Sequence, residues 1–426
     1  MHGAAQVQHH SRGGHHSWTW CLALLAIAGC TRLEHAPPVV AGSPELPRPR
    51  LEAPSLAPPI PSPQRHRQPD PPPREYEAEQ VVREEDFGFA ADGLALDGTL
   101  SWPNGFTQGT LPGVVIVHGS GPMARDGAMP GQLGTPFGFR FRVYEELARA
   151  LSDRGIAVLR YDKRGSVPHH WMSDATATQR GAGPATTRQY ARDALAAMRA
   201  LAQHPLVDPH RLFFVGHSQG GQLIPWLLWQ MPSVRGGVLL TTPHGTVDAL
   251  LQSQSEALPA LMLEAGYSPL QAWWQGRALA RAAESVAHLT PNHLDGDTLG
   301  TDNHLWYSWQ LMSRSAPWMA ARLDRPVLVV AGGQDRNVTP DDFVGWQRTL
   351  TGAHRSRHRF CKIECMTHAL NCLDDSGGDS SPHPAAALAG GLAAVIAEYI
   401  DSVSRRPADP GSGCAASKDA PFEERH

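Results

Sequence analysis

The pentapeptide Gly-His-Ser-Gln-Gly at 216–220 constrains the fold of this chain more than any other feature. An apolar run at 212–215 precedes it, and another at 223–229 follows it. G-x-S-x-G between a buried strand and a helix is typical of a sharp turn that lifts the central serine above a sheet. Glycine suits both flanking positions because a Cβ there would crowd the turn. The alternative is an ordinary surface loop, so Ser218 is a candidate nucleophile that other residues must support.

Short apolar runs alternate with amphipathic helical patterns over residues 75–401, which we predict to be the folded domain. Asp92-Gly93 is a hairpin signal between two predicted strands. The predicted strands are 87–90, 94–102, 114–117, 155–159, 212–215, 237–242 and 327–331, and the predicted helices of the body are 142–151, 190–202 and 385–400. This alternation predicts an α/β fold with a mostly parallel sheet and helices on both faces.

The stretch 243–324 has helical patterns and no predicted strand. We interpret it as a helical lid, because insertions in α/β sheets lie at the carboxyl ends of strands, where ligands bind. Its predicted helices are 247–264, 269–289 and 305–323, and its tryptophans are Trp273, Trp274, Trp306, Trp309 and Trp318. These tryptophans would either contact substrate or fill the contact between lid and body.

A serine nucleophile needs a base to take its proton and an acid to orient that base. Asp335 directly follows the predicted strand 327–331, and His368 lies shortly before the last predicted helix. The chain order Ser218, Asp335, His368 is that of a known hydrolytic triad. Taken singly, Asp335 could be a turn former and His368 one surface histidine among 22.

The reaction also needs hydrogen-bond donors for the oxyanion that develops on the substrate. One donor is predicted to be the backbone N–H of Gln219, the residue after the candidate nucleophile. The second is predicted to be Ser120, in the glycine-rich loop after the buried strand 114–117. A plain glycine-rich turn is the alternative for this loop, and a phosphate loop is disfavoured because no G-K-[ST] follows.

Five sequence pieces together resemble the α/β-hydrolase superfamily, in its branch of dienelactone-hydrolase-like and prolyl-oligopeptidase-related esterases. They are HGSGP at 118–122 with Arg125-Asp126 after it, YDKRG at 161–165, GHSQGG at 216–221, GGQD at 332–335 and THAL at 367–370. The resemblance implies Ser218 as nucleophile, Asp335 as acid, His368 as base, and Ser120 and Gln219 at the oxyanion hole. It also implies a structural role for YDKRG beside the site, through Asp162 and Arg164.

The sequence thus predicts a serine hydrolase that cleaves carboxylic esters of small molecules through an acyl-enzyme, without a cofactor or metal. One alternative is a serine peptidase or aminopeptidase of the same fold. Another is a non-catalytic surface binding protein on a hydrolase scaffold. Because 37 basic residues stand against 41 acidic ones and no basic block occurs, nucleic acid is not expected as a partner.

Four cysteines remain beyond the first 30 residues: Cys361, Cys365, Cys372 and Cys414. Three of them and His368 could be read as zinc ligands. A disulfide clamping the loop of His368 is the favoured interpretation, and the pairing among the four stays open.

The N-terminus predicts export. Residues 1–29 match a signal peptide with an apolar run too short to span a bilayer, and Ile27-Ala28-Gly29-Cys30 resembles the lipobox of bacterial lipoproteins. Lipid on Cys30 would anchor the protein to a membrane, with the outer membrane favoured by Thr31; a plain secretory signal is the alternative. A Pro-rich linker is predicted at 30–74, and a loose tail at 402–426.

Overall fold

The computed structural model describes residues 81–121, 123–127, 142–165, 185–264, 266–299, 301–351, 357–372, 388–405 and 422–423. The signal peptide, Cys30 and the linker lie outside these residues, as does Cys414. No helix in the described ranges is both long and apolar enough to cross a membrane.

One sheet contains nine of the strands, in the order β1-β2-β4-β3-β5-β6-β9-β10-β11. The strands are β1 (Val82–Ala91), β2 (Leu94–Pro103), β3 (Leu111–Val117), β4 (Ala157–Tyr161), β5 (Val207–His217), β6 (Gly236–Leu240), β7 (Asp297–Thr298), β8 (Thr301–Asp302), β9 (Val327–Gly332), β10 (Arg359–Ile363) and β11 (Phe422–Glu423). All neighbours from β4 to β10 are parallel, whereas β1, β2 and β11 pair antiparallel. The predicted mostly parallel sheet is confirmed.

Helices cover both faces of this sheet. They are α1 (Val143–Ser152), α2 (Thr187–Leu201), α3 (Gln219–Gln230), α4 (Val247–Glu264), α5 (Pro269–Ala287), α6 (Asn303–Ala320), α7 (Pro340–Thr349) and α8 (Leu392–Ser404). Side chains of α2, α3 and α6 contribute to the apolar core on one face, and those of α1 and α8 to the core on the other. Along β3, Val115 and Val117 enter the first core and Val114 and Ile116 the second. The run 114–117 is therefore continuously apolar because both of its faces are buried.

The register brings several loops to one edge of the sheet. Val117 at the end of β3 pairs with Gly216 on β5, and Leu240 at the end of β6 pairs with Val330 on β9. Ile363, the last residue of β10, pairs with Gly332. The segments that follow β3, β5, β9 and β10 consequently leave the sheet side by side, which is where ligands bind in this architecture.

Within the predicted lid 243–324, helices α4, α5 and α6 share an apolar cluster of their own. Trp306 and Trp309 are buried in it and stack, whereas Trp273, Trp274 and Trp318 are about half exposed. Trp309 Nε1–H donates to Gln222 of α3 at 2.7 Å, so this tryptophan fills the contact with the body. The expectation of no strand here is wrong, because β7 and β8 pair as a two-residue ladder.

Two elements of the body, β10 and α7, were not predicted from the sequence, and the end of the chain differs from the prediction. Strand β10 carries charged side chains at Arg359 and Lys362 and lacks a continuous apolar run. Helix α7 begins at Pro340, and the residues Thr339-Pro340 are a helix-start pattern that the prediction did not use. Asp342 accepts a hydrogen bond from Thr339 N–H there at 2.9 Å. The tail expected to be loose from residue 402 continues α8 to Ser404, and β11 pairs with the edge of β10.

Candidate active site

Ser218 occupies a sharp turn between β5 and α3. Its backbone has φ 53° and ψ −119°, a region that residues other than glycine rarely adopt. Its N–H donates to the Leu240 carbonyl at the end of β6 at 2.9 Å, and its own carbonyl accepts from Gly221 N–H at 2.9 Å. The strand therefore ends and the helix begins within one residue, and the hydroxyl lies at the sheet edge.

The glycines of this turn are required by close backbone approaches. A Cβ on Gly216 would collide with the Gly220 carbonyl. A Cβ on Gly220 would collide with the carbonyls of Val117 and His118, in the neighbouring loop. The turn can pack against that loop only because both side chains are hydrogen atoms.

The three predicted site residues form a hydrogen-bonded chain. His368 Nε2 lies 3.1 Å from Ser218 Oγ, and His368 Nδ1 lies 2.9 Å from Asp335 Oδ2. All three side chains are almost fully buried, with Ser218 6% exposed. This geometry lets His368 accept the serine proton on one nitrogen while the other donates to the carboxylate.

Both carboxylate oxygens of Asp335 are engaged. Oδ1 accepts from the backbone N–H groups of Asn337 and Val338 at 2.8 and 2.9 Å. Gln334 N–H donates to the Met366 carbonyl at 3.0 Å, which joins the loop after β9 to the loop after β10. Asp335 is thus both a turn former and the partner of His368, so the two readings of its sequence are compatible.

His217 is a site residue that sequence analysis missed. Its Nε2 lies 2.9 Å from the His368 carbonyl, and its Nδ1 lies 2.9 Å from the Tyr144 hydroxyl. Burial lowers the pKa of His217 to about 3, so the ring is neutral and carries one proton. A carbonyl can only accept, so that proton is on Nε2, and Nδ1 accepts from Tyr144.

The Tyr144 hydroxyl in turn accepts from Gly119 N–H at 2.9 Å. One polar chain therefore runs from the loop after β3, through α1 and the turn, to the backbone of His368. No motif signals this chain, because Tyr144 and His217 lie 73 positions apart.

Ser120, in the loop after β3, and Gln219, directly after Ser218, are the predicted oxyanion donors. Gln219 is the first residue of α3, so its N–H has no acceptor within the helix. Among the described residues, neither this N–H nor that of Ser120 donates a hydrogen bond. A Cβ built on Gly119, next to Ser120, would lie 3.5 Å from Ser218 Cβ. Two backbone donors thus flank the serine on either side of the turn.

The YDKRG segment after β4 makes buried hydrogen bonds to neighbouring elements of the body, as its predicted structural role requires. The Asp162 carboxylate accepts from the backbone and guanidinium of Arg125, at 2.6 Å in its shortest contact. Arg164 binds the Asp193 carboxylate of α2 through two nitrogens, at 3.0 and 2.5 Å. These buried, two-point contacts tie the segment after β4 to loop 123–127 and to α2.

Cys365 and Cys372 form a disulfide that closes the loop carrying His368. The zinc reading of these residues is wrong, because the bond takes two of its four donors and both ring nitrogens of His368 are engaged. Within the described ranges, no cluster of three or more His, Cys, Asp or Glu is suited to hold a metal.

Comparison with known proteins identifies the family of this chain. The family model described as "Serine aminopeptidase, S33" matches residues 137–372, more than half of the chain. The chain belongs to this family of α/β hydrolases. The fold predicted from the sequence pieces is therefore confirmed, and the protein is an α/β hydrolase.

A curated relative is esterase EstD of Thermotoga maritima, 27% identical over 299 residues. The match covers 70% of this chain and 63% of EstD, so the chain spans less than two thirds of that relative. Similar solved structures include Est1E from Butyrivibrio proteoclasticus, with 16% identity, TM-score 0.43 and coverage of 74% of this chain and 96% of that one. The Pyrococcus horikoshii acylaminoacyl peptidase gives 16% identity, TM-score 0.48 and coverage of 78% and 44%.

Proposed function

We propose that this α/β hydrolase cleaves carboxylic esters of small molecules through an acyl-enzyme on Ser218. The observation that carries the proposal is the buried hydrogen-bonded chain Ser218–His368–Asp335, beside two backbone N–H groups that have no acceptor among the residues the structure describes. The relative EstD is named an esterase, which agrees with this substrate class.

In the first half-reaction Ser218 Oγ forms a bond to the ester carbonyl carbon, and its proton passes to His368 Nε2. The negative charge on the carbonyl oxygen is stabilised by the N–H groups of Ser120 and Gln219. The tetrahedral intermediate then collapses, the bond to the alkoxy oxygen breaks, and His368 gives its proton to the departing alcohol. Water repeats the sequence on the acyl-enzyme and releases the acid.

Asp335 and His217 hold His368 in the orientation this cycle needs. Asp335 accepts a hydrogen bond from Nδ1–H, which keeps the proton on that nitrogen and leaves Nε2 free to take the proton of Ser218. The carboxylate also stabilises the imidazolium that then forms. His217 holds the His368 backbone from the other side and stays neutral, so it adds no competing charge.

A fluorophosphonate probe tests the nucleophile directly, because it reacts covalently only with an activated serine. We expect stoichiometric labelling of the wild-type protein, complete loss in Ser218→Ala, and retention in the matched control Ser285→Ala, an exposed serine of α5. A folded wild-type protein that resists the probe would overturn the proposal and favour a binding role.

Peptide hydrolysis is the second candidate, because the matching family is described as a serine aminopeptidase. An aminopeptidase needs a carboxylate that holds the substrate's ammonium group. In the described part of the site, Asp162 and Asp193 are bound to arginines, and Asp335 to His368. We therefore expect faster turnover of a p-nitrophenyl ester than of an aminoacyl p-nitroanilide, and the reverse preference would select the peptidase.

We also propose that the protein is exported and anchored through lipid on Cys30, in the outer membrane. The support is the lipobox at 27–30 after a short apolar run. Cells fed an alkyne fatty acid should label the wild-type chain and the Cys21→Ser control, and should not label Cys30→Ser. Release of unlabelled wild-type protein into the periplasm would instead indicate a plain secretory signal.

A further inference from the structure

Lys163 is the third residue of YDKRG, and the roles of its neighbours Asp162 and Arg164 leave it unexplained. Its side chain is buried behind the turn at Ser218, with the residue 5% exposed. Nζ donates to the Gly119 carbonyl at 2.7 Å and to Gln219 Oε1 at 3.2 Å. It also lies 4.2 Å from the centre of the Tyr190 ring, a cation–π contact.

Each of the two acceptors of Lys163 is covalently close to one predicted oxyanion donor. The Gly119 carbonyl is half of the peptide group whose N–H belongs to Ser120. The Gln219 side chain belongs to the residue that carries the other N–H. One ammonium group therefore contacts the peptide group that carries the first predicted donor and the residue that carries the second.

The direction of the Ser120 N–H follows from peptide geometry. The described part of the chain has no cis peptide bond, so the carbonyl and N–H of this peptide point in opposite directions. With the carbonyl aimed at Lys163, the N–H points away from it. The preceding peptide is held separately, since Gly119 N–H donates to the Tyr144 hydroxyl. Gly119 is thus held on both sides next to Ser218.

We propose that Lys163 is a positioning residue for the oxyanion hole, which aims the Ser120 N–H and polarises its peptide through the Gly119 carbonyl. A hydrogen bond from a cation at the carbonyl end makes the N–H end a stronger donor. The proposal rests on the proposed esterase function of this same site.

The charge environment of Lys163 argues against a purely structural role. The titratable groups around it are His118, Tyr161, Tyr190 and Asp193, and the Asp193 carboxylate is already bound to Arg164. Burial lowers the pKa of Lys163 to about 7, and that of His118 to about 3, so His118 is neutral. Within the described part of the chain no free carboxylate contacts the Lys163 amine, and such a buried amine reduces stability, which is typical of functional sites.

The pH dependence of stability has a defined sign. Lys163 has a lower pKa folded than its ordinary value of about 10.4 unfolded. Between about pH 7 and 10 the unfolded chain binds the extra proton, so the contribution of this group to stability rises with pH. The proposal predicts the opposite trend for the rate, because the neutral amine polarises the peptide less.

The test compares Lys163→Met with Lys362→Met, a lysine of β10 that pairs with Glu364 at 2.8 Å. With a p-nitrophenyl ester, and rates normalised to probe-labelled sites, kcat of Lys163→Met should fall about 10- to 100-fold with KM within about twofold. Affinity for a trifluoromethyl ketone, which presents an oxyanion, should weaken by the same factor. Lys362→Met should match the wild type, and an unchanged kcat in Lys163→Met would overturn the proposal.

The wild-type pH profile gives a second readout, which needs no variant to fold. We expect kcat/KM to fall about 3- to 10-fold as pH rises above about 7, while the melting temperature holds or rises. This descending limb should be absent in Lys163→Met. A wild-type profile flat from pH 7 to about 9.5 would contradict the role of the charge. Failure of the proposed function is distinguishable, since wild-type protein would then neither turn over esters nor label at Ser218.

Discussion

The sheet edge that carries the site and the helical insertion differ in the burial and hydrogen bonding of their histidine and tryptophan rings. At the edge, His217 and His368 are buried and every ring nitrogen has a hydrogen-bond partner. In the insertion, Trp273 and Trp274 are 53% and 51% exposed, and Trp306 is buried among apolar neighbours. The edge is held by buried polar contacts, whereas the insertion combines an apolar cluster with polar contacts such as Trp309 to Gln222 and leaves other tryptophans half exposed.

This difference separates two kinds of sensitivity. A hydrogen-bonded group buried at the edge cannot lose its partner without leaving another polar atom unsatisfied, so single changes there alter both rate and stability. Replacing an exposed apolar side chain of the insertion removes few contacts, so we expect little change in stability. Substitutions at the sheet edge should therefore have larger effects on rate and stability than substitutions in the insertion.

Replacing Asp335 with asparagine should produce the largest loss. The amide presents an N–H₂ group or a weaker acceptor to His368 Nδ1, so the tautomer that receives the Ser218 proton is no longer favoured. We expect kcat to fall by about 10⁴-fold with the fold retained. The control Asp341→Asn changes an exposed carboxylate of α7 and should leave kcat unchanged. A loss below tenfold would mean that the 2.9 Å contact does not serve catalysis.

Tyr144→Phe should have the next effect, because it breaks the polar chain between Gly119 and His217. Two buried groups lose their partner, so we expect about 2–4 kcal/mol off the free energy of unfolding. We also expect kcat to fall about tenfold as loop 118–121 loses its anchor. Urea unfolding and ester kinetics measure the two effects.

Tyr399→Phe is the matched control for that variant. Its buried hydroxyl donates to the Pro326 carbonyl at 2.7 Å, away from Ser218. It should lower stability and leave kcat unchanged. Equal rate effects in the two variants would contradict a specific role for Tyr144.

Removing the disulfide should cost less. The double substitution Cys365→Ser and Cys372→Ser opens a short covalent loop, for which chain entropy predicts about 2.5 kcal/mol of lost stability. Reductant should destabilise the wild type by a similar amount and leave the double variant unaffected. Thiol titration of the unreduced wild type that finds both cysteines reactive would show this pairing to be absent.

The smallest effects should come from the insertion, where one substitution distinguishes its two faces. Trp309→Phe leaves the buried Gln222 Oε1 without its donor and should cost about 1–2 kcal/mol. Trp273→Phe, on the exposed face, should change stability by less than about 0.5 kcal/mol. Differential scanning calorimetry measures both, and equal costs would contradict the division between faces.

Local patterns predicted the residues of the site but not the contacts that hold it. The buried run 114–117 and the glycines of GHSQG indicated strand and turn, because burial on both faces and crowding leave their mark on neighbouring positions. Asp335 was found because its loop follows a predicted strand, and His368 because it precedes the last predicted helix, in a known chain order. Strand β10 was missed because the charged Arg359 and Lys362 leave it without a continuous apolar run.

The supporting residues left no such mark. Only three lysines occur, at Lys163, Lys362 and Lys418, and composition alone gives no reason to assign the first a site of its own. Tyr144 resembles any buried residue of an amphipathic helix. Two features of the sequence could have pointed to these residues. Lys163 lies inside YDKRG between Asp162 and Arg164, and His217 lies inside the pentapeptide at 216–220.

The α/β fold, the turn at Ser218 and the order of the candidate nucleophile, acid and base could be predicted from the sequence, since they depend on hydrophobic period and glycine placement over short spans. The contacts of Lys163 with Gly119 and Gln219, and the link that Tyr144 makes between Gly119 and His217, became visible only in the folded chain. These contacts depend on which loops the parallel register brings to one edge, and register is a property of strands distant in the chain.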